Sequence, residues 1–326
     1  MGYESLILVF SSIIYEALPF VVLGVVIAGL LEEFVPQQAL ARVIPRNRPL
    51  AIALGGLLGI VFPMCECGII VVMRRLLRKG LPLSVCVAYV LAGPIINVVV
   101  MMSTYVAFTD PKNAVFGGPL QVALLRAGLG YVVAFFTALV VQWQETRHGA
   151  FALLAPSVTK GLKVDLTADE VADIGPRTWA QRINNITQTA LNDFVDSMAF
   201  LVLGAFMAAA GRMTLEQTEL ASAIQGNIAV AILLMMAIAV LFCLCSEADA
   251  FVAANFPAYW PAASKLAFLV LGPMLDFKLY FMYTRVFRPR LIWTIIVSVV
   301  VQVFLYAVLV HLWWDGYLSS LFSRGS

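Results

Sequence analysis

The stretch Phe62-Pro63-Met64-Cys65-Glu66-Cys67-Gly68 interrupts an apolar segment and decides the fold of this chain. The apolar pieces before and after it, 50–61 and 68–77, are each about half a bilayer long at about 1.5 Å per helical residue. Proline and glycine end and restart helices. Basic residues flank both pieces, and one spanning helix would place them on opposite membrane faces, against the positive-inside bias. We therefore predict a re-entrant hairpin that enters and leaves from the cytoplasmic side, with the cysteines at its tip.

The composition is that of a membrane protein. Hydrophobic residues make up 62% of the 326 residues and charged residues only 12%, whereas a globular chain carries about 25% charged residues. Apolar runs long enough to cross a bilayer recur at 6–31, 83–108, 122–141, 190–210, 224–245, 267–287 and 291–310. We predict an all-α polytopic membrane protein of about eight transmembrane helices, some of them re-entrant hairpins.

Several functional classes are excluded by what the sequence lacks. No basic segment precedes the first apolar run, which is longer than that of a signal peptide, so we interpret it as the first transmembrane helix. Five cysteines and two histidines exclude a secreted disulfide framework and a His-rich zinc site. No Gly-x-x-x-x-Gly-Lys-Ser/Thr stretch occurs, so ATP use would require a partner subunit. The net charge of +2 gives no indication of nucleic acid binding.

Landmarks of the first half of the chain recur in the second half. They are an acidic residue early in an apolar segment, a Cys-x-Cys pair and a Gly-Pro pair, repeated after 180, 178 and 179 residues. The equivalent positions are Glu16 and Asp196, Cys65/Cys67 and Cys243/Cys245, and Gly93-Pro94 and Gly272-Pro273. Paired broken segments in a duplicated apolar chain are typical of secondary transporters.

The distribution of basic residues predicts the topology. With the N-terminus outside, 15 of the 21 Lys and Arg residues fall in cytoplasmic segments. Each half then has three full crossings, an odd number, so the two repeats are inverted. The alternative has four spans per half and parallel repeats. The predicted organisation is repeat 1 at 1–141, a polar cytoplasmic connecting loop at 142–189 and repeat 2 at 190–326.

The two Cys-x-Cys pairs carry the most distinctive chemistry. Thiolates are soft ligands that favour Cu(I), zinc and comparably thiophilic centres such as trivalent arsenic. Two hairpin tips meeting at mid-membrane would form a soft-metal or metalloid site from four sulfurs and two carboxylates: Cys65, Cys67, Cys243, Cys245, Glu66 and Glu247. Two other interpretations stay open, in which the cysteines only pack as small apolar residues or cycle between dithiol and disulfide.

The Gly-Pro segments are a second group of candidate substrate-binding residues. A break at each pair, Gly93-Pro94 and Gly272-Pro273, would free backbone carbonyls for a substrate or ion. Asn97 and Asp276 follow the prolines by three residues, and we expect each to lie one helical turn further on the same helix face. An ordinary proline kink is the alternative.

Acidic residues within apolar segments are candidates for proton coupling, because a carboxylate inside a membrane is energetically expensive. They are Glu16, Asp196 and Asp276. For Asp196, an interfacial position is the alternative. Asp276 with Lys278, and Arg126 within its own apolar helix, are candidate internal ion pairs, although Lys278 can instead extend toward the interface.

The chain resembles the ArsP/YraQ-type predicted permease family. The resemblance rests on 62–68, 92–97 and their counterparts at 243–249 and 271–276, and it covers essentially the whole membrane region. It implies a bacterial inner-membrane permease of about eight helices. Some members of that family export trivalent organoarsenicals, which implies that the ligands of a soft metalloid are Cys65, Cys67, Cys243 and Cys245.

The combined prediction is a secondary permease, and not an enzyme, that moves a small thiophilic solute by using an ion gradient. Its expected surroundings are the lipid bilayer and a small-molecule or metalloid substrate, without nucleic acid or a cofactor; a homo-oligomer or a partner subunit is compatible with it. Two alternatives stay open. One is a membrane thiol oxidoreductase or sulfur-transfer protein, and the other is the membrane subunit of a larger complex that docks through 142–189.

Overall fold

The computed structural model describes residues 47–61, 66–110, 115–156, 227–257 and 260–314, together with single positions between 7 and 45 and between 184 and 206. Most of these residues are helical, and the one extended pairing among them is an isolated bridge between Leu154 and Phe287. About half of each predicted helix at 6–31 and 190–210, including Glu16 and Asp196, lies outside the described residues, as does all of 157–183.

Helices with complete bounds fall into two groups along the chain. The first group is α1 (Arg48–Val61), α2 (Glu66–Arg78), α3 (Leu83–Ile96), α4 (Val98–Ala107), α5 (Pro119–His148) and the single turn α6 (Ala150–Leu153). The second is α7 (Ile228–Phe242), α8 (Ser246–Ala254), α9 (Ala262–Leu271), α10 (Phe277–Val286) and α11 (Pro289–Trp313). Among the described residues, three stretches are apolar and long enough to cross a membrane: 83–107, 119–148 and 289–313. The all-helical membrane class is thereby confirmed, whereas the number of spans, the repeat and its topology stay predictions.

Two segments predicted as spans consist of two shorter helices each. The run 83–108 is divided at Asn97, and the run 267–287 is divided at 272–276. Pro94 does not end its helix, because a proline removes only the hydrogen bond to the carbonyl four residues earlier and the last turn closes beyond it. In the second half the helix does end at the Gly-Pro pair, since Leu271 is the last residue of α9.

Asn97 and Asp276 occupy a different place from the predicted one. Neither residue belongs to the helix before it. Asn97 caps the start of α4, and Asp276 caps the start of α10. Asn97 Oδ1 accepts a hydrogen bond from the Val100 N–H at 2.8 Å, and Asp276 Oδ1 accepts one from the Leu279 N–H at 2.6 Å. Such side chains satisfy N–H groups that have no partner inside the helix. The polar residues thus stabilise restarted helices.

The chain reverses direction between α1 and α2. Gly55 lies against Val85 and Gly59 against Gly93, so residue numbers rise in the same direction along α1 and α3. The Ile69 side chain, from the first turn of α2, packs against Gly93 as well, and a short turn leads from the end of α2 to the start of α3. Helix α2 is therefore antiparallel to α3 and to α1. A side chain on Gly59 or Gly93 would overlap these neighbours, which explains why both positions are glycine.

The helices of the two groups pack in corresponding ways. Helix α3 contacts α1, α2 and α5, and helix α9 contacts α7, α8 and α11. Between the groups, α2 contacts α10 while α8 contacts α4. Helix α2 begins within its Cys-x-Cys stretch and α8 directly after the other one, and each lies against the helix that restarts after the Gly-Pro segment of the other half.

The two longest helices, α5 and α11, are joined by polar side chains. Thr137 and Ser298 share a hydrogen bond of 3.1 Å, and Gln144 Nε2 donates to Thr294 Oγ1 at 2.7 Å. Residue numbers rise on α5 while they fall on α11, so the helices are antiparallel. Hydrogen bonds of this kind hold helices together where packing alone does not distinguish protein from lipid.

Candidate functional site

Lys278 lies at the centre of a buried ionic cluster. Its Nζ is 2.7 Å from Glu66 Oε1 and 3.4 Å from Asp276 Oδ2. The same ammonium donates to the carbonyls of Cys243 and Leu244, both at 3.4 Å. Each of the three charged side chains is about 1% exposed. Glu66 comes from the first half and the other groups from the second, so this ammonium links the two halves.

Arg126, on α5, makes the second buried ionic contact between the halves. Its Nη1 donates to Thr104 Oγ1 at 2.7 Å, and its Nη2 donates to the Ser246 carbonyl at 2.8 Å. Its Nε donates to the Leu269 carbonyl at 3.1 Å. That carbonyl is four residues before Pro273, which has no N–H to offer it. Arg126 therefore satisfies the carbonyl that the proline leaves free.

The first residues of α2 and α8 meet at this centre. Ser246 Oγ donates to Glu66 Oε2 at 3.5 Å, and Arg126 Nη2 lies 4.0 Å from Asp249 Oδ2. Glu66, Asp249 and Asp276 all stand at or near helix N-termini, where the helix dipole favours negative charge. Two buried cations thus face three buried carboxylates. An excess of negative charge in an apolar interior favours uptake of a proton or another cation.

Three of the four predicted cysteine ligands lie among the described residues. Cys67, Cys243 and Cys245 are buried and form no disulfide. Cys243 follows α7 in a left-handed conformation with φ of 53°, which is rare for residues other than glycine. Its Sγ accepts a hydrogen bond from the Lys278 N–H at 3.4 Å, so this sulfur lies directly beside the ionic cluster. Cys65 is outside the described residues.

A preformed metal centre is not visible in the described part of the chain. Within it, no group of three or more His, Cys, Asp or Glu side chains is arranged to hold a metal ion. The predicted set of four sulfurs is therefore untested as a whole. Glu247, the second residue of α8, is only partly buried next to Ser246.

The glycines of the Gly-Pro pairs have a packing role that the sequence did not indicate. Both are buried. A side chain on Gly93 would overlap Ile69, and one on Gly272 would meet Asp249 Oδ2. In each half, the glycine before the proline thus admits a side chain from the first turn of the preceding helix. A substrate-binding role for Gly93-Pro94 and Gly272-Pro273 stays a prediction.

The expected internal ion pairs are present, and other residues of the centre were missed. Lys278 pairs with Asp276 and is not extended toward the interface, and Arg126 lies beside Asp249. Sequence reasoning did not select Asp249, Ser246 or Thr104 as site residues. Asp249 alone had a visible signal, as a carboxylate in an apolar segment soon after a Cys-x-Cys pair.

Comparison with known proteins gives the family. UPF0718 protein YcgR of Bacillus subtilis is 36% identical over 295 residues, which are 90% of this chain and 93% of that protein. A protein of Streptococcus mutans, named as a subunit of a two-component membrane permease complex, is 29% identical over 284 residues, 87% of either chain. No solved structure matches the chain. Residues 3–312 match the family described as "Predicted permease", and the chain therefore belongs to the ArsP_1 family of predicted permeases.

Proposed function

We propose that this protein is a secondary permease that moves a small thiophilic solute, such as a trivalent organoarsenical or a soft metal species, across the bacterial inner membrane. The observation that carries the proposal is the buried ionic cluster around Lys278 and Arg126, which joins the two halves of an apolar helical chain. Charged residues inside membrane proteins mark substrate or ion pathways. The family, which is one of permeases, supports a transporter over an enzyme.

We propose an inverted repeat with two re-entrant hairpins as the architecture. Three observations support it: α1 and α2 reverse direction beside α3, the packing partners of the two groups correspond, and the last helices of the groups, α5 and α11, are antiparallel. Parallel repeats would make α5 and α11 parallel. Half-helices whose ends meet at the repeat interface are the usual site of binding in such transporters.

The proposed topology keeps the N-terminus outside and 142–189 in the cytoplasm. Residues beyond α5 pair with the junction of α10 and α11, through the Ala155 N–H and the Val286 carbonyl at 2.9 Å. Both segments carry basic residues that the positive-inside bias assigns to the cytoplasm. Their contact supports placing them on the same face of the membrane.

The sulfurs beside the cluster support the proposed substrate class. Cys243 Sγ accepts from the Lys278 backbone, and Cys67 follows Glu66 directly. A thiophilic centre would bind these soft ligands, with the neighbouring carboxylates compensating positive charge. Cys65 and Cys245 complete the proposed ligand set, while Glu247 and Asn97 are proposed to line the pathway.

Coupling is proposed to use protons. Asp276 shares the Lys278 ammonium with Glu66, so a proton on Asp276 would remove the excess negative charge of the cluster. Glu16 and Asp196 are proposed as further proton carriers on the same path. A substrate-linked proton flux in vesicles would support this assignment, whereas flux without any pH change in a weakly buffered lumen would contradict it.

The first experiment is uptake into inverted membrane vesicles. Trivalent arsenicals, Cu(I) and thiol-conjugated species would be compared between the wild type and a variant with Ser at Cys65, Cys67, Cys243 and Cys245. Cys86→Ser is the matched control, because Cys86 is buried in α3 outside both pairs. Flux of one class that depends on the four sulfurs but not on Cys86 supports the proposal. Flux that survives without them would make the cysteines packing residues.

A partner subunit is the second proposal, and the name of the Streptococcus mutans relative favours it. Proteoliposomes that contain only this chain are the test. The chain acts as one subunit of a complex if these proteoliposomes show no flux while membranes from cells that also express the neighbouring genes do show flux. Full flux from the single chain would contradict a required partner.

A further inference from the structure

Lys278 occupies a pocket whose ligands are those of a metal cation site. Four oxygens surround its Nζ within 3.4 Å: Glu66 Oε1, Asp276 Oδ2 and the carbonyls of Cys243 and Leu244. The two carbonyls belong to the residues that directly follow α7, at the negative end of its helix dipole. Unwound carbonyls at half-helix C-termini, together with carboxylates, are the usual ligands of coupling cations in transporters.

The distances decide which cation such a pocket would accept. They run from 2.7 to 3.4 Å, longer than the roughly 2.0–2.1 Å bonds of magnesium and the roughly 2.3–2.6 Å bonds of calcium. A large monovalent ion of ammonium or potassium size fits them better. Carbonyl oxygens replace the hydration shell of potassium in the same manner in selective channels.

We infer that the Lys278 ammonium is a tethered substitute for a monovalent cation, and that its removal exposes a binding site for potassium or ammonium. Two buried carboxylates without a cation are strongly destabilising. The wild type needs no dissociable alkali ion here, because the lysine supplies the charge covalently. The inference rests on the proposed function only where it concerns transport. There it deepens that function, because a site filled by lysine cannot exchange potassium during the transport cycle.

Thermal unfolding of purified Lys278→Met protein tests the site without any transported substrate. The midpoint would be followed by tryptophan fluorescence in potassium, ammonium, sodium or choline chloride at one ionic strength. We expect Lys278→Met to be destabilised in choline and its Tm to rise saturably with potassium, by about 5 °C at 100 times the Kd. The wild type is expected to show the same Tm in all four salts.

Lys265→Met is the matched control. Lys265 is also buried, but its Nζ donates to the Phe256 carbonyl at 3.0 Å and has no carboxylate partner among the described residues. Its replacement should leave Tm insensitive to the choice of cation. A potassium response of Lys265→Met equal to that of Lys278→Met would overturn the inference, because the ion would then act elsewhere.

A second variant covers the case in which Lys278→Met does not fold. Lys278→Met combined with Glu66→Gln removes one charge of each sign, and it should fold without a cation response. If the double variant folds while Lys278→Met folds in no salt, a free cation cannot replace the ammonium and the inference is wrong. The inference is also wrong if Lys278→Met is stable and its Tm does not depend on the cation. It is wrong as well if neither variant folds in any salt, because the fold would then require lysine itself. Absence of wild-type flux would affect only the proposed function.

Discussion

Replacing Arg126 by leucine removes the side chain that compensates the proline break after α9. The guanidinium donates to the Leu269 carbonyl, the Thr104 hydroxyl and the Ser246 carbonyl, all within 3.1 Å. Leucine keeps much of the apolar volume but leaves three acceptors without this donor. The effect should therefore be a loss of stability that spreads over α4, α8 and α9.

The size of the loss can be worked from these contacts. A hydrogen bond to a charged group contributes about 1.5–3 kcal/mol, and removing one member of a buried ionic pair costs about 3–5 kcal/mol. The nearest carboxylate, on Asp249, is 4.0 Å away, which makes the hydrogen bonds the larger part. We expect Arg126→Leu to lower the free energy of unfolding by about 4.5 kcal/mol or more, because three such hydrogen bonds are lost together.

Pro273→Ala isolates the contribution of the Leu269 carbonyl. Gly272 has helical backbone angles, so an N–H at position 273 would point at that carbonyl. In the Pro273→Ala background, Arg126→Leu should therefore be milder by about 1 kcal/mol, the net contribution of one hydrogen bond. The double-mutant cycle measures this coupling directly.

The assay is reversible unfolding in mixed micelles with increasing denaturing detergent, followed by circular dichroism and tryptophan fluorescence. Arg126→Lys is the control that keeps the positive charge but cannot reach three acceptors at once. Equal losses from Arg126→Leu with and without Pro273 would refute the reasoning. A stable Arg126→Leu protein would refute it as well.

Three further substitutions test the packing and the caps by the same unfolding assay. Gly93→Ala should lower stability by about 1–3 kcal/mol, because the new methyl group overlaps Ile69, and Ile69→Ala should recover part of the loss. Asp276→Asn should keep the cap on the Leu279 N–H, whereas Asp276→Ala should lose about 1 kcal/mol from the cap alone, so equal stabilities would argue against capping. Gln302→Leu should cost about 0.5–1.5 kcal/mol through the lost hydrogen bond from Gln302 Nε2 on α11 to Thr137 Oγ1 on α5, and an unchanged midpoint would contradict a bonding role.

Local features of the sequence predicted the breaks between helices. The Cys-x-Cys stretch after residue 242 does separate two helices, and the charges in apolar segments do form buried pairs. These features can be recognised locally, because a proline or a glycine restricts the backbone at its own position, and an isolated charge in an apolar segment needs a polar partner in any fold. The predicted break at Gly93-Pro94 was placed too early, because this helix continues to Ile96. A proline in the last turn disturbs only a bond to the preceding turn.

Contacts between distant segments could not be predicted in the same way. Arg126 meets the Leu269 carbonyl across 143 residues, and Glu66 meets Ser246 across 180. Which buried carboxylate accompanies which cation depends on how the helices pack, and hydrophobic patterning has little information on this in a chain that is apolar on nearly every face. Thr104 had no signal at all, because a hydroxyl in an apolar helix usually bonds its own backbone.

The contact between Glu66 and Ser246 has a consequence for how such a molecule can be built. Glu66 is the middle residue of the first Cys-x-Cys stretch, whereas Ser246 follows the second stretch, so the contact joins unlike positions of the two stretches. An assembly of two identical subunits would have to form this contact twice, with two copies of Glu66 in one apolar interior. One continuous chain escapes this restriction, because each half is free to carry a different residue at the shared contact.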